Sequence, residues 1–324
     1  MLMARRALSP SQLAVVQAVR PCFDGPERGL VIGCSGGADS LALVAACANV
    51  DASRVLAVVV EHGLQADSLR IADATVEAVR GLGVAAEVRS VHVDTTSGEG
   101  VEAAARRERL VALVGDGKRP VLLGHTLDDQ AETVLLGLAR GSGAASLQAM
   151  APSTPHLAGR LVRPLLGLRR SQVRQACLDW GLMPWDDPMN LDPAYLRVRV
   201  RHELLPVLDD VLGPGVVEAL GRTATLARHD NDLLERLAAD AQRDLVRGDS
   251  LDAVGLLHLY PALRGRVLRR WMIERGAQAP TMAHVQGVAA LVENWHGQGG
   301  VDLPGGVRVH RIQGALVARS GDPE

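Results

Sequence analysis

Six residues, Ser35-Gly36-Gly37-Ala38-Asp39-Ser40, have the types and spacing of a phosphate seat. Gly36 and Gly37 carry no Cβ, so backbone N–H groups can approach an anion closely. A helix opening at Asp39 would add unsatisfied N–H groups and the positive end of its dipole. Ser35 and Ser40 bring hydroxyl donors. A Walker A loop would need Lys where Asp39 stands, and an acid among phosphates points instead to a bound metal ion. The plain alternative is a glycine-rich strand-to-helix turn with no ligand.

A second group lies in Leu-Leu-Gly-His-Thr-Leu-Asp-Asp-Gln-Ala-Glu-Thr, residues 122–133. On a helix His125, Asp128 or Asp129, and Glu132 share one face, while Ala131, Val134, Leu135 and Leu138 form the apolar one. Helix capping by Thr126 and one Asp is the competing reading, but it needs fewer polar residues than stand here. Two weaker candidates are His62, in Val60-Glu61-His62-Gly63-Leu64, and Arg106, in Gly100-Val101-Glu102-Ala103-Ala104-Ala105-Arg106. A lone His at a strand end is usually structural, and Glu102 with Arg106 at i, i+4 also reads as a surface ion pair.

These segments need a scaffold that brings them together. Strand-like runs at Leu30 to Cys34, Val55 to Val60, Ala86 to Val93 and Pro120 to Gly124 alternate with helical ones at Asp39 to Asn49, Ser68 to Gly81 and Val101 to Val114. A further helix, Leu127 to Ala139, follows the last strand. The pattern predicts an α/β fold with a doubly wound, mostly parallel sheet, whose ligands bind at the carboxyl ends of the strands. Val162 to Leu166 and Met183 to Asp186 are candidates for a fifth strand and its connection, around a helix at Ser171 to Trp180. Past Pro206 long helical stretches take over, at Val216 to Val246, Tyr260 to Arg275 and Met282 to Trp295. Gly213-Pro214-Gly215 is the best linker, dividing a domain 1–212 from a mostly helical domain 213–324. A hairpin of Val301 to Leu303 and Val307 to Val317 is expected to close the chain.

With 324 residues, 47% of them hydrophobic, the chain can build two cores. No apolar run has signal-peptide or membrane-spanning length, so a cytoplasmic protein without membrane contact is expected. Cys22, Cys34, Cys47 and Cys177 show neither disulfide nor metal-site spacing. A net charge of -2 announces no nucleic-acid binder. Arginines nevertheless cluster at 160–174, 197–201 and 264–275, where phosphate contacts are conceivable. Lys118 is the sole lysine, so the arginine excess itself reflects compositional bias.

The loop at Ser35 to Ser40 resembles the pyrophosphate loop of the N-type ATP pyrophosphatases. The larger set resembles the tRNA(Ile)-lysidine synthetase family over about the first two thirds of the chain. That set comprises His62-Gly63-Leu64, Glu102-Ala103-x-Ala105-Arg106, Gly124-His125-x-x-Asp128-Asp129-Gln130-x-Glu132-Thr133 and Leu138-x-Arg140-Gly141-Ser142-Gly143. It continues through Arg163-Pro164-Leu165-Leu166, Asn190, Asp192-Pro193, Arg197-x-Arg199-x-Arg201 and Leu204-Leu205-Pro206. The resemblance implies an adenine nucleotide alpha hydrolase-like sheet and a tRNA-modifying ligase. ATP would adenylate the C2 oxygen of the wobble cytidine in an isoleucine tRNA with a CAU anticodon. The ε-amine of L-lysine would then displace AMP, giving lysidine.

On that reading Ser35, Gly36, Gly37, Ala38, Asp39, Ser40 and His62 bind ATP, and Asp39 holds Mg2+. Asp128, Asp129 and Glu132 bind lysine, with Asp129 and Glu132 also catalytic. Arg106 and His125 contact phosphate or the activated base, and Arg197 and Arg201, on one helical face, bind tRNA. Glu61, Gln65 and Val198 depart from the family pattern, which bears on tRNA contacts rather than on the reaction. The C-terminal third is expected to be a single tRNA-contacting domain. Oligomeric state is not legible, a homodimer being one option. The rival readings are a tRNA thiolase, many of which need paired cysteines, and a nucleotide-binding protein that never turns over ATP.

Overall fold

The computed structural model describes residues 7–26, 29–63, 67–93, 101–141 and 143–320, with only the backbone given at 101, 102 and 320. Readings that rest on residues 1–6, on Leu64, Gln65, Gly100 and Ser142, or on the Glu102 side chain lie outside the described residues. By its internal contacts the chain forms two compact units, 1–141 with 146–224, and 142–145 with 225–324.

The first unit is built on a six-stranded sheet. Its strands are β1 Leu30–Gly33, β2 Val55–Glu61, β3 Ala85–Ser90, β4 Val121–Leu122, β5 Ser153–His156 and β6 Gly159–Val162, in the spatial order β3-β2-β1-β4-β6-β5. All neighbouring pairs are parallel except β5 with β6. The helices are α1 Pro10–Val19, α2 Ala38–Asp51, α3 Ser68–Arg80, α4 Val101–Val114, α5 Leu127–Ala139, the short α6 Ala144–Leu147 at the changeover between units, and α7 Arg170–Asp179. After them come α8 Leu196–Arg199, α9 Leu205–Leu212 and the long α10 Val216–Leu245.

The period of two along β1 and β2 explains why helices cover both faces. Leu30, Ile32, Val55, Ala57 and Val59 point into one core with residues of α1, α2, α3 and α7. Val31 and Val58 point into the other, against Leu113 and Val114 of α4. The sequence predicts the layout of the first four strands and their helices. It misses α1, whose N-terminus is closed by a capping box of Ser9 and Gln12. It also misplaces the next strand: Arg163 to Leu166 leave the sheet, and β6 instead pairs backward with β5.

The strand order reverses between β1 and β4, since the chain lays β2 and β3 on one side of β1 and returns to β4 on the other. Such a switch point opens a crevice beyond the carboxyl ends of both strands. The segments leaving those ends are Cys34 to Gly37 and Leu123 to Thr126, the two segments whose residue types suggest chemistry.

The second unit holds the rest of α10, β7 Val246–Arg247, β8 Ser250–Asp252, α11 Ala253–Leu257, α12 Pro261–Glu274, α13 Met282–Glu293, β9 Val301–Leu303, β10 Val307–Ile312 and β11 Ala315–Ser320. Trp271, Leu268, Met272, Leu256 and Leu291 form its core with Val309 and Leu316 of the sheet. The β9/β10 hairpin turns at Pro304-Gly305-Gly306 as expected. The run from Val307 to Val317, however, breaks at Gln313-Gly314, both at positive φ, into two antiparallel strands. The result is a five-stranded antiparallel sheet, β7-β8-β11-β10-β9, rather than a lone hairpin.

Two glycines let the crevice close. Gly36 sits at φ +82, and a Cβ there would lie 2.5 Å from Thr75 Oγ1 on α3. A Cβ on Gly124 would meet the Asp39 carbonyl carbon and oxygen, both at 3.1 Å. Gly124→Ala should therefore push the β4 exit away from the start of α2, destabilising the protein by roughly 1–3 kcal/mol as overpacking does. Urea denaturation checks this, and an unchanged midpoint would mean the two segments have slack between them.

Candidate functional site

The Gly37 cap of α2 has extended backbone angles and no side-chain hydrogen bond closes that helix end, so its first N–H groups are left for an anion. Ser35 is exposed, while Ser40 is buried and spent inside the loop. The Ser40 hydroxyl donates to the Gly37 carbonyl at 2.9 Å and accepts from the Ser35 backbone N–H at 3.2 Å. Ser40 thus locks the turn, and Ser35 is the freer hydroxyl. The backbone N–H of Trp185 donates to the Gly36 carbonyl at 3.0 Å, so the segment after α7 clamps the same turn. Nothing in the spacing of the sequence announces that clamp.

Asp39, one residue into α2, has Oδ1 buried without a protein hydrogen-bond partner. Its other oxygen lies 3.6 Å from Arg170 Nε. Burial pushes the Asp39 pKa up to about 6; Arg170 opposes this and Asp129 adds to it. An orphaned carboxylate oxygen beside an open helix N-terminus fits Mg2+, which takes one or two carboxylates and draws its other ligands from phosphates and water.

The start of α5 supplies the second half of the site. Asp129 Oδ2 accepts from the backbone N–H and the hydroxyl of Thr126, at 2.7 and 2.8 Å, and so completes a capping box. Asp129 Oδ1 faces Arg170 at 2.8 Å and Arg197 at 3.3 Å. Burial would raise the Asp129 pKa, but Arg170, the Thr126 N–H and Arg197 together hold it below the usual value. Capping and site chemistry are therefore shared between the two oxygens of one carboxylate.

Asp128 is spent differently: its Oδ2 accepts the backbone N–H of Arg170 at 2.7 Å, at the N-terminus of α7, where Arg169 itself offers no cap. The same carboxylate pairs with the Arg169 guanidinium at 3.3 Å. A cap donated from another helix offsets the cost of two arginines at a positive dipole end.

Glu132 is 0% exposed. Its Oε1 accepts from Arg170 Nη1 at 3.1 Å and Arg201 Nε at 2.8 Å. Its Oε2 accepts from Arg197 Nε at 2.7 Å and Arg201 Nη2 at 3.2 Å. Arg197 and Arg201 come from α8 and from the π-helical turn Val200–Leu204 that joins it to α9. They do share a face, and that face turns toward Glu132. Arg197 is the more exposed of the two, at 40% against 23%.

His125 lies in the β4–α5 turn with Nδ1 buried and unpartnered. Burial lowers its pKa to about 4, with Arg163, Arg106 and Arg197 adding to the effect against Asp129. It is a neutral imidazole near pH 7, able to give or take a hydrogen bond but not to act as a cation. Arg106, exposed on α4, is near enough to be felt by His125. His62 follows β2 with Nδ1 also unpartnered, and Glu61 beside it accepts from the Gly63 N–H and the Ser68 hydroxyl, shaping that turn.

The third arginine cluster is engaged within its own unit. In the second unit Arg264 pairs with Glu293, Arg266 with Glu235 and Arg275 with Asp249, and Arg269 donates to the Pro280 carbonyl.

Residues 10–208 match the model of the PP-loop domain, and residues 251–317 match that of the TilS substrate binding domain. The tRNA(Ile)-lysidine synthase of Thermobifida fusca (strain YX) is 49% identical over 321 residues, 95% of this chain and 98% of that protein. The chain belongs to the tRNA(Ile)-lysidine synthase family. The enzyme of that name from Rhodococcus opacus (strain B4) is 48% identical over 94% of this chain and 92% of its own length. Among solved structures, the U34-tRNA thiolase NcsA from Methanococcus maripaludis with its [4Fe-4S] cluster aligns with TM-score 0.53 at 20% identity. It covers 68% of this chain and 80% of that one, a likeness of fold. Cys22, Cys34, Cys47 and Cys177 are free thiols here, three of them buried, and burial raises the pKa of each.

The neutral state of His125 has a measurable consequence. Its folded pKa of about 4 lies below the ordinary 6.5, so between those values the unfolded chain holds a proton that the folded one lacks. This contribution to stability is complete above pH 6.5 and is lost as pH falls toward 4. Denaturant titrations should show a shallower loss over that window for His125→Gln than for the wild type; equal slopes would place the acid sensitivity elsewhere.

Proposed function

We propose that this chain forms lysidine on tRNA(Ile) at the cost of ATP, as the family name implies, and that it does so at the crevice between β1 and β4. The observation that carries the reading is the contact of two half-sites at one switch point. An uncapped helix end with an orphaned acid, Asp39, lies against the turn that opens the carboxylate helix α5, with Gly124 on the Asp39 backbone.

In the first step the C2 oxygen of the wobble cytidine, in a tRNA with a CAU anticodon, bonds to the α-phosphorus of ATP. The bond to the β-phosphate breaks and pyrophosphate leaves. The backbone of Gly36, Gly37 and Ala38 and the Ser35 hydroxyl hold the phosphates, with Ser40 locking their turn and His62 at the neighbouring strand end. Mg2+, held by Asp39, would offset the charge building on pyrophosphate. In the second step the ε-amine of L-lysine bonds to C2, and AMP departs with the former C2 oxygen.

An amine attacks only when neutral, so a carboxylate must both recognise the ammonium and take its proton. Asp129 suits this better than Asp128, which is committed to the N-terminus of α7. Glu132 completes the lysine pocket from beneath. His125, as a neutral donor, and Arg106, as a cation, contact the phosphate or the activated base. Arg197, the more exposed of the two, serves the tRNA backbone from the rim while Arg201 holds Glu132, with residues 213–324 as a tRNA-contacting domain. A cytoplasmic enzyme fits this substrate, and no helix among the described residues is long and apolar enough to cross a membrane.

Asp39→Asn keeps the size of the side chain and removes its charge. Adenylation should fall by at least ~100-fold, on the scale of a lost electrostatic contact in a transition state. Pyrophosphate release at the wild-type rate would remove Asp39 from the mechanism.

Asp129→Asn and Glu132→Gln should instead leave activation largely intact and raise the lysine concentration for half-saturation. Adenylated tRNA, trapped with labelled ATP, should then accumulate. Unaltered lysine dependence in both variants, with activation lost, would move these carboxylates to the ATP side.

A further inference from the structure

Arg170 forms ion pairs with carboxylates from both halves of the crevice. Its Nε lies 3.6 Å from Asp39 on α2, its Nη2 2.8 Å from Asp129 and its Nη1 3.1 Å from Glu132, the last two on α5. All three nitrogens of the guanidinium are used, each toward a different acid. A lysine ammonium is a single point and could not span this triangle.

The backbone anchors it as well. The Arg170 N–H is fixed to Asp128 at 2.7 Å, and Arg169 is tied to Asp128 and Glu218, so the base of the side chain is held by the same helix its tip engages. Burial alone would lower the pKa of Arg170, but Asp129, Glu132 and Asp39 raise it above the ordinary arginine value. Its charge is therefore permanent.

We propose that Arg170 is a positioning residue that couples the two chemical steps, setting the separation of Asp39 from Asp129 and Glu132 and screening their mutual repulsion. Without it three carboxylates converge with one fewer cation among them, and the crevice must widen or take up protons. Both halves then lose their geometry at once. This distinguishes Arg170 from Asp39, whose loss strikes activation, and from Asp129 and Glu132, whose loss strikes lysine transfer. The inference rests on the assignment of those two steps under the proposed function.

Arg170→Gln and Arg170→Lys, purified as full chains, test it through two readouts per variant: the maximal rate of pyrophosphate release with ATP and tRNA, and the lysine concentration for half-saturation of lysidine formation. Misplacement on the scale of an ångström predicts changes of about 10- to 100-fold in each for Arg170→Gln, with tRNA affinity within about two-fold of wild type. Arg170→Lys should restore at most one of the two, because it keeps the charge and loses the span.

Activation should also be non-additive. In an Asp39→Asn background, Arg170→Gln should cost less than about half, on a logarithmic scale, of what it costs alone. If Arg170→Gln does not fold, as thermal denaturation would reveal, the Lys variant and its pairing with Asp39→Asn carry the same comparison.

A fall in the maximal rate of pyrophosphate release alone, with lysine dependence intact, would confine Arg170 to activation and overturn the coupling. Full recovery of both readouts in Arg170→Lys would overturn it too, since charge without span would then suffice. The underlying assignment fails separately, when Asp129→Asn and Glu132→Gln leave lysine half-saturation unaltered.

Discussion

A carboxylate with no exposed surface governs this site. Glu132 has given up its hydration entirely, at a cost of several kcal/mol for an ion of its size, and only a full set of partners makes that burial tolerable. Arg170, Arg197 and Arg201 provide four hydrogen bonds to its two oxygens. Those arginines arrive from α7, from α8 and from the π-helical turn beyond it. The need to satisfy one acid on α5 therefore draws two separate segments, α7 and the continuous stretch from α8 into the π-helical turn, to the edge of the crevice. Hydrophobic contact supports the same docking on a smaller scale, through Ala131, Val200, Leu205 and Val217.

The charge around Glu132 is closely balanced. Asp39, Asp128, Asp129 and Glu132 face Arg169, Arg170, Arg197 and Arg201. The pairing is uneven, however, and the unevenness locates the reactive places. Asp128 and Glu132 have both oxygens engaged. Asp129 likewise spends Oδ2 on the Thr126 cap and Oδ1 on Arg170 and Arg197, whereas Asp39 leaves one buried oxygen with no partner. Asp39 also has the raised pKa, as an incompletely solvated carboxylate must. An added cation beside Asp39 would remove that penalty, whereas one at Glu132 must displace a guanidinium already in place. The same four acids thus divide into three carboxylates engaged through both oxygens and Asp39, which keeps one oxygen for a ligand.

The loop at Ser35 to Ser40 and the polar start of α5 are legible in sequence because each is local. A strand end, two glycines and an acid specify the first, and a turn followed by carboxylates at helical spacing specifies the second. The sheet follows from alternation of strands and helices, and the switch point follows from the sheet. Elements with weak local signals are lost: α1 has little amphipathic contrast, β7 and β8 have two and three residues, and β5 contains a proline. Gln313-Gly314 turns a single apolar run into two strands because both residues adopt positive φ, which in a valine-rich stretch is easy to overlook.

Helical periodicity misleads at α5 itself, and the reason is electrostatic. Its polar face reads as a stripe facing a ligand and its apolar face as core, yet Glu132 is wholly buried under arginines, while Leu138 of the expected apolar face is 63% exposed. The arginines that cover Glu132 lie 38 to 69 residues farther along the chain, and no window of local sequence contains both partners. The same distance explains why Arg197 and Arg201 read as an outward basic face. Alternating with valines they carry an obvious positive stripe, but the acid that orients it sits on another helix. Burial of a charge is a property of the pair, so it becomes visible only when the fold has brought the pair together.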